Sequence, residues 1–163
     1  MRLWSTGNGW AVRGMVRVLG IVRKFRKMLP ESIPERLESQ LEDLIKGIIR
    51  SAVVSDADEN GLLRNYFKDT SYFGEKAGTA AIASAIFRMA VLKRATLSDE
   101  EIAWTEKMVG IVYRMWRKTA LLHRVVNPLT SRDRNPQFGS AEGQAFALYL
   151  LAAHRDWRLH QVG

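Results

Sequence analysis

The feature that most constrains this chain is an alternation of two kinds of helical segment, three apolar and small-residue-rich and two charged and amphipathic. From Trp10 to Leu29 the apolar residues Val12, Met15, Val16, Val18, Leu19, Val22, Phe25 and Leu29 recur at helical spacing, and Pro30 ends the run. A second helix is predicted from Ser32, where Ser32 and Glu35 form a capping box, to about Val54; its acidic residues mark a half-exposed outer helix. The third, Thr79 to Lys93, is Ala-rich and nearly uncharged until Arg88, so it reads as buried on most sides. A second capping box, Ser98 with Glu101, opens a fourth, amphipathic helix to about Leu122, and a fifth runs from Ala141 to about Trp157.

Each apolar helix follows a Gly-containing polar segment: Gly7-Asn8-Gly9, Glu75-Lys76-Ala77-Gly78-Thr79 and Ser140-Ala141-Glu142-Gly143-Gln144. The last glycines are 69 (78 minus 9) and 65 (143 minus 78) residues apart. Such a period predicts a repeat of helix pairs, inner helices alternating with outer ones. Six pairs of this length would close a toroid of about 400 residues, and this sequence carries roughly two and a half. The predicted fold is therefore all-α, antiparallel helical hairpins forming about half of an (α/α)6 toroid. Residues 1–163 form one domain in this reading, with the N-terminal half of the barrel lying outside the sequence.

The chain is 47% apolar and has no low-complexity tract, which fits one packed domain. Without cysteine it has no disulfide and no thiolate metal site. Its net charge of +8 is uneven: residues 1–30 hold seven bases and no acid, residues 31–60 three bases and eight acids. Most of this reads as charge paired between neighbouring helices. The basic start has the look of an organelle presequence, but Trp4, Asn8 and Trp10 lead straight into an apolar face, which opposes that reading. Its arginines are spread around a helix rather than focused, so no nucleic-acid partner is expected. No apolar stretch approaches the roughly 20 residues that span a bilayer, so no membrane partner is expected either. The compartment is left open.

In a helix-pair toroid all inner-helix starts share one rim, where unpaired N–H groups favour carboxylate or polyhydroxyl ligands. Trp4 and Trp10 read as stacking platforms for sugar rings, and Asn8 and Gln144 as amide contacts. For Trp10 the alternative is a core position. Glu75 and Glu142 stand at inner-helix starts, as acid/base candidates or as dipole partners for their own helices; neither is assigned a catalytic role. His123 and His154 lack a Ser or Asp at diagnostic spacing, so no hydrolase triad is read. Asp56-Ala57-Asp58-Glu59-Asn60-Gly61 imitates half a calcium loop, but its twelfth position is Phe67, so the segment reads as an Asn-Gly turn and no metal is expected. The two long connections, Ser55 to Gly78 and Val126 to Ser140, exceed ordinary loop length, and the first is read as functional.

Four segments in order (Leu3 to Trp10, Asp58 to Tyr66, Gly78-Thr79-Ala80, and Ser140 to Phe146) resemble the unsaturated rhamnogalacturonyl and glucuronyl hydrolases, the six-hairpin glycosidases. The resemblance spans Leu3 to Trp157. It implies an (α/α)6 toroid that hydrates the C4=C5 double bond of a terminal unsaturated uronic acid on pectin- or glycosaminoglycan-type oligosaccharides, without cofactor or metal. By resemblance, Trp4 is the substrate-stacking tryptophan and Trp10 the helix-start tryptophan. Two departures bear on carboxylate recognition. Thr6 stands where many members have Arg, and Glu75-Lys76-Ala77-Gly78-Thr79-Ala80 stands where members often read Glu-Thr-Ser-Gly-Thr-Ala. The family's catalytic aspartates precede the segment matching Trp4, so this chain alone is expected to be inactive. The substrate-contacting set expected is Trp4, Thr6, Asn8, Trp10, Glu75, Lys76, Thr79, Glu142 and Gln144. The alternative is a non-catalytic helical carbohydrate-binding or scaffold protein, with self-association through the open flanks of the arc.

Overall fold

A computed structural model describes residues 3–30, 32–55, 57–119 and 121–162, with the side chain of Thr119 left out. Five α-helices follow in order: α1 Ser5–Lys24, α2 Ser32–Val53, α3 Lys76–Lys93, α4 Asp99–Thr119 and α5 Ala141–Val162. Among the described residues there is no strand, only isolated bridges such as Trp4 with Tyr66 and Arg64 with Gly74. No described helix is long and apolar enough to cross a membrane.

The predicted alternation is what the packing uses. Helix α3 lies between α1 and α5 and is buried almost throughout from Lys76 to Ala90. Its alanines let both neighbours approach closely: a Cβ added at Gly9 of α1 would stand 2.6 Å from the Ala81 Cβ. Helix α2 covers α1 through Ile45, Ile49 and Ala52, and α4 covers α3 with Met108 and Val112. The three inner helices run parallel. Thr6 meets Glu75 near the starts of α1 and α3, while at the other end the Arg23 Nη1 donates to the Leu92 carbonyl at 2.9 Å. Along α3 and α5, Phe87 stacks with Trp157 and Arg88 meets Asp156 at 2.5 Å. This is a partial (α/α) toroid, as predicted.

Packing rather than charge holds the arc. Ile82, Ile86, Phe87, Phe146 and Leu150 are fully buried, each worth about 1.5–3 kcal/mol. Exposed pairs such as Arg26 with Glu35 contribute about 0–1 kcal/mol. The Arg23–Glu42–Lys93 group, partly buried with distances of 2.7 and 3.0 Å, ties α1, α2 and the end of α3.

Four expectations change. Helix α1 begins at Ser5, not Trp10, so Gly7-Asn8-Gly9 is helical rather than a polar entrance. Trp4 takes the N-cap position, and Asn8 donates both its backbone and side-chain N–H to the Trp4 carbonyl at 3.0 and 2.8 Å. The third residue of each inner helix is then Gly7, Gly78 or Gly143, and the repeats are 71 (78 minus 7) and 65 (143 minus 78) residues long. Second, α1 stops at Lys24 in a 3-10 turn, Arg26–Met28, and α5 continues past Trp157 to Val162. Third, Ser98 and Glu101 form their capping box, at 2.8 and 3.1 Å, whereas Glu35 bonds to Arg26 and Ser32 lies inside α2. Fourth, the connection before α3 is a packed brace. It buries Leu62, Leu63, Tyr66, Phe67, Tyr72 and Phe73, and its backbone bonds to Leu3 and Ser5.

Candidate functional site

The three inner-helix starts converge on one rim. Trp10 Nε1 donates to the Glu142 carboxylate, joining the second turn of α1 to the first turn of α5. The Trp10 ring meets Phe146 edge-on, centroids 4.9 Å apart, and remains 54% exposed. One helical turn further, Arg13 lays its guanidinium over the Tyr149 ring at 3.7 Å and near Phe146 at 5.3 Å. Burial pushes the Arg13 guanidinium below its ordinary value, and Tyr149 opposes that shift. Tyr149 is itself exposed. The result is two exposed aromatic rings around a cation, with a carboxylate beside the indole. Such rings suit the apolar face of a pyranose, and a guanidinium suits a carboxylate.

The other expected contacts divide by accessibility. Trp4 is half-buried, its Nε1 donating to the Asn65 side chain at 3.0 Å, and Asn65 in turn donates to the Ser131 carbonyl at 2.7 Å. Asn8 is half-buried and engaged with Trp4. Gln144 clasps the Leu122 backbone, accepting from its N–H at 3.1 Å and donating to its carbonyl at 3.3 Å. Thr6, Glu75 and Thr79 have no accessible surface and spend their polar atoms inside the protein. Glu75 is the N-cap of α3: it accepts from the N–H groups of Ala77 (2.9 Å), Gly78 and Val126 (3.1 Å) and from the Thr6 hydroxyl (2.9 Å). Burial raises the Glu75 carboxyl above its ordinary value, and these four donors act against that rise. Its geometry is that of the dipole partner. Thr79 accepts from Leu63 N–H at 3.1 Å and donates to the Glu75 carbonyl. Lys76, by contrast, is 1% exposed, and among the described residues its Nζ has no hydrogen-bond partner. The structure therefore brings Trp10 and Glu142 together at an open surface, and locks Thr6, Glu75 and Thr79 into the α1–α3 joint.

The remaining candidates resolve locally. His123 Nδ1–H donates to the Phe138 carbonyl at 3.0 Å, and His154 lies 3.0 Å from Glu106 and against Phe87. Asp58 accepts from the N–H groups of Asn60 and Leu62, Gly61 adopts φ 79°, and Phe67 is in the core, so the segment is the expected turn. Asp56, its first residue, lies outside the described residues. Arg13 and Tyr149 carry no mark in the sequence, since one stands on the wet side of α1 and the other reads as a further apolar position of α5.

No family model and no curated protein matches the sequence. Several solved structures resemble the fold. A possible member of the GH105 family from Salmonella enterica superimposes with TM-score 0.76 at 22% identity, over 94% of this chain and 40% of that one. One from Klebsiella pneumoniae, also described as a possible GH105 member, gives 0.76 at 21% identity over the same shares, 94% and 40%. A glycoside hydrolase from family 105 of C. acetobutylicum gives 0.64 at 11% identity, over 98% of this chain and 46% of that one. The chain thus spans less than half the length of these structures.

Proposed function

We propose that this chain is the toroid segment of a glycoside hydrolase acting on oligosaccharides that end in an unsaturated uronic acid. In the complete enzyme the reaction is hydration of the C4=C5 double bond, followed by opening of the hemiketal and loss of the linkage. The observation that carries the reading is the shared rim, where Trp10, Glu142, Arg13 and Tyr149 present rings, a carboxylate and a cation side by side. The family-105 fold likeness supports it. In this reading Trp10 and Tyr149 take the ring faces, Trp4 and Asn8 form an outer wall, and Arg13 supplies the carboxylate partner that Thr6 does not. Acid/base residues come from the part of the toroid that precedes Trp4.

The test uses the complete gene product and an unsaturated uronyl disaccharide. Loss of absorbance from the double bond is expected, and its absence sinks the catalytic reading. For the chain itself, quenching or shift of tryptophan fluorescence on titrating the same disaccharide is expected, and Trp10→Ala should remove at least tenfold in affinity. An unchanged affinity in that variant refutes the rim assignment.

The second reading, a non-catalytic carbohydrate-binding arc completed by a second copy, is favoured by the apolar stripes left open along α1 and just past its end (Val18, Ile21, Phe25) and on α5 (Leu148, Leu159). A concentration-independent monomer in sedimentation would oppose it.

A further inference from the structure

Apart from the rim cluster, one cavity of about 740 Å³ opens where the start of α3 faces the last turns of α4. Six basic side chains line it: Lys76, Arg114, Arg117, Lys118, His123 and Arg124. Among the described residues no acid lines it, and none of the five Lys and Arg side chains is held in an ion pair. Helix α4 ends here, and its terminal carbonyls favour cations at Arg117 and Lys118, which accounts for two of them.

That account does not reach Lys76. Its side chain is 1% exposed, it lines the cavity, and among the described residues its Nζ finds no hydrogen-bond partner. An ammonium withdrawn from water without a partner is strongly unfavourable. The two acids nearest in influence are Asp58 and Glu75, and both are committed elsewhere, Asp58 to the N–H groups of Asn60 and Leu62 and Glu75 to its four donors. His123 adds a second orphan: with Nδ1–H given to Phe138, its Nε2 is buried and has no partner among the described residues. Leu62 and Ile111 supply an apolar wall. A half-open, cation-lined cleft of this volume, with two polar atoms left unmatched among the described residues, has the size of a small-molecule pocket rather than of a surface for a duplex.

We propose that this cavity binds a small molecule bearing two or more oxyanions, with Lys76 as its buried anchor and Arg114 and Arg124 closing over it. Phosphate esters and short oligouronates share that chemistry. The proposal is independent of the reading given for the rim. Burial and the neighbouring Arg124 lower Lys76 to about 8, so an anion that pairs with it draws a proton onto the amine at mildly alkaline pH.

The experiment is calorimetric titration of the chain with sodium pyrophosphate and, separately, with trigalacturonate, at about 0.15 M salt, where exposed charges are screened over about 8 Å. Saturable one-to-one binding of at least one of them is expected, and which one binds identifies the source. Lys76→Met and Arg114→Gln should each weaken it at least tenfold, while Arg36→Gln, which removes an exposed charge on α2 away from the cavity, changes it less than twofold. With trigalacturonate, whose carboxylates are fully ionised in this range, net proton uptake is expected at pH 8, read from buffers of different ionisation enthalpy. If neither probe binds, or if both basic-residue variants bind as the wild type does, the proposal is overturned. Should Lys76→Met fail to fold, the exposed Arg114→Gln decides alone. An equal loss in Arg36→Gln would mean that net charge alone holds the anion and would equally overturn it.

Discussion

Replacing Glu75 by Ala tests the joint on which the rim is built. Glu75 is fully buried and accepts four hydrogen bonds, from Ala77, Gly78, Val126 and Thr6. In the variant the N-cap of α3 is lost, which costs about 0.5–2 kcal/mol. The Val126 N–H, on the segment leading to α5, is left buried and unpaired at about 1–3 kcal/mol. The Thr6 hydroxyl can turn to another acceptor and is not counted. Removing a carboxylate that burial disfavours returns part of this, and a net loss of about 3 kcal/mol is the expected result. That is a large fraction of the roughly 5–15 kcal/mol by which domains are stable. Glu75→Gln keeps the acceptor for Ala77 and Val126 but turns an NH₂ toward the Gly78 N–H, so it should lose about half as much. Urea unfolding followed by far-ultraviolet circular dichroism measures both, with m unchanged. A Glu75→Ala variant within about 1 kcal/mol of the wild type refutes the assignment of this residue as the structural hub.

The glycines give a paired prediction. A Cβ at Gly78 would lie 2.6 Å from Thr6 N and 2.7 Å from the Ser5 carbonyl carbon, both backbone, whereas Gly14 has nothing within 4 Å. Gly78→Ala should lose about 1–3 kcal/mol and Gly14→Ala gain about 0.5–1 kcal/mol, read from thermal midpoints; equal effects would mean that α1 and α3 do not meet there. For Lys76, the folded chain releases its proton near pH 8 while the unfolded chain holds it to about 10.5. The unfolded state therefore binds more protons across that window, and stability rises with pH through it, by up to about 3 kcal/mol. Lys76→Met should be more stable than wild type at pH 7 and lose that advantage by pH 10 in urea melts; a difference independent of pH contradicts a buried, unpaired amine.

Much of the architecture is written locally. The uncharged alanines of 79–90 dictate a helix with no wet face, and the Ser98–Glu101 spacing dictates where α4 begins, because both depend on neighbours within a turn or two. The spacing of glycine-bearing starts at 75–79 and 140–144 likewise fixes two helices with one polarity. The segment from Ser5 to Gly9 was legible as a special place but not as helix. Two glycines and an asparagine cost about 0.7–1 kcal/mol each in helix propensity, and only tertiary contacts make the glycines necessary, Gly9 by its close passage over Ala81 and Gly7 by the Trp4 ring against it.

The sequence by itself determined that helices of two kinds alternate, and that a glycine-bearing segment marks the approach to each inner one. Tertiary structure alone decided which polar residues those beginnings expose. Glu75 could equally have faced water; the arrival of Thr6 and Val126 turned it inward. Arg13 and Tyr149 belong to helices at opposite ends of the chain, and α3 brings them within 3.7 Å. Helical periodicity is a property of adjacent residues, whereas the identity of a partner across the rim depends on how two helices dock against a third, which no local pattern encodes.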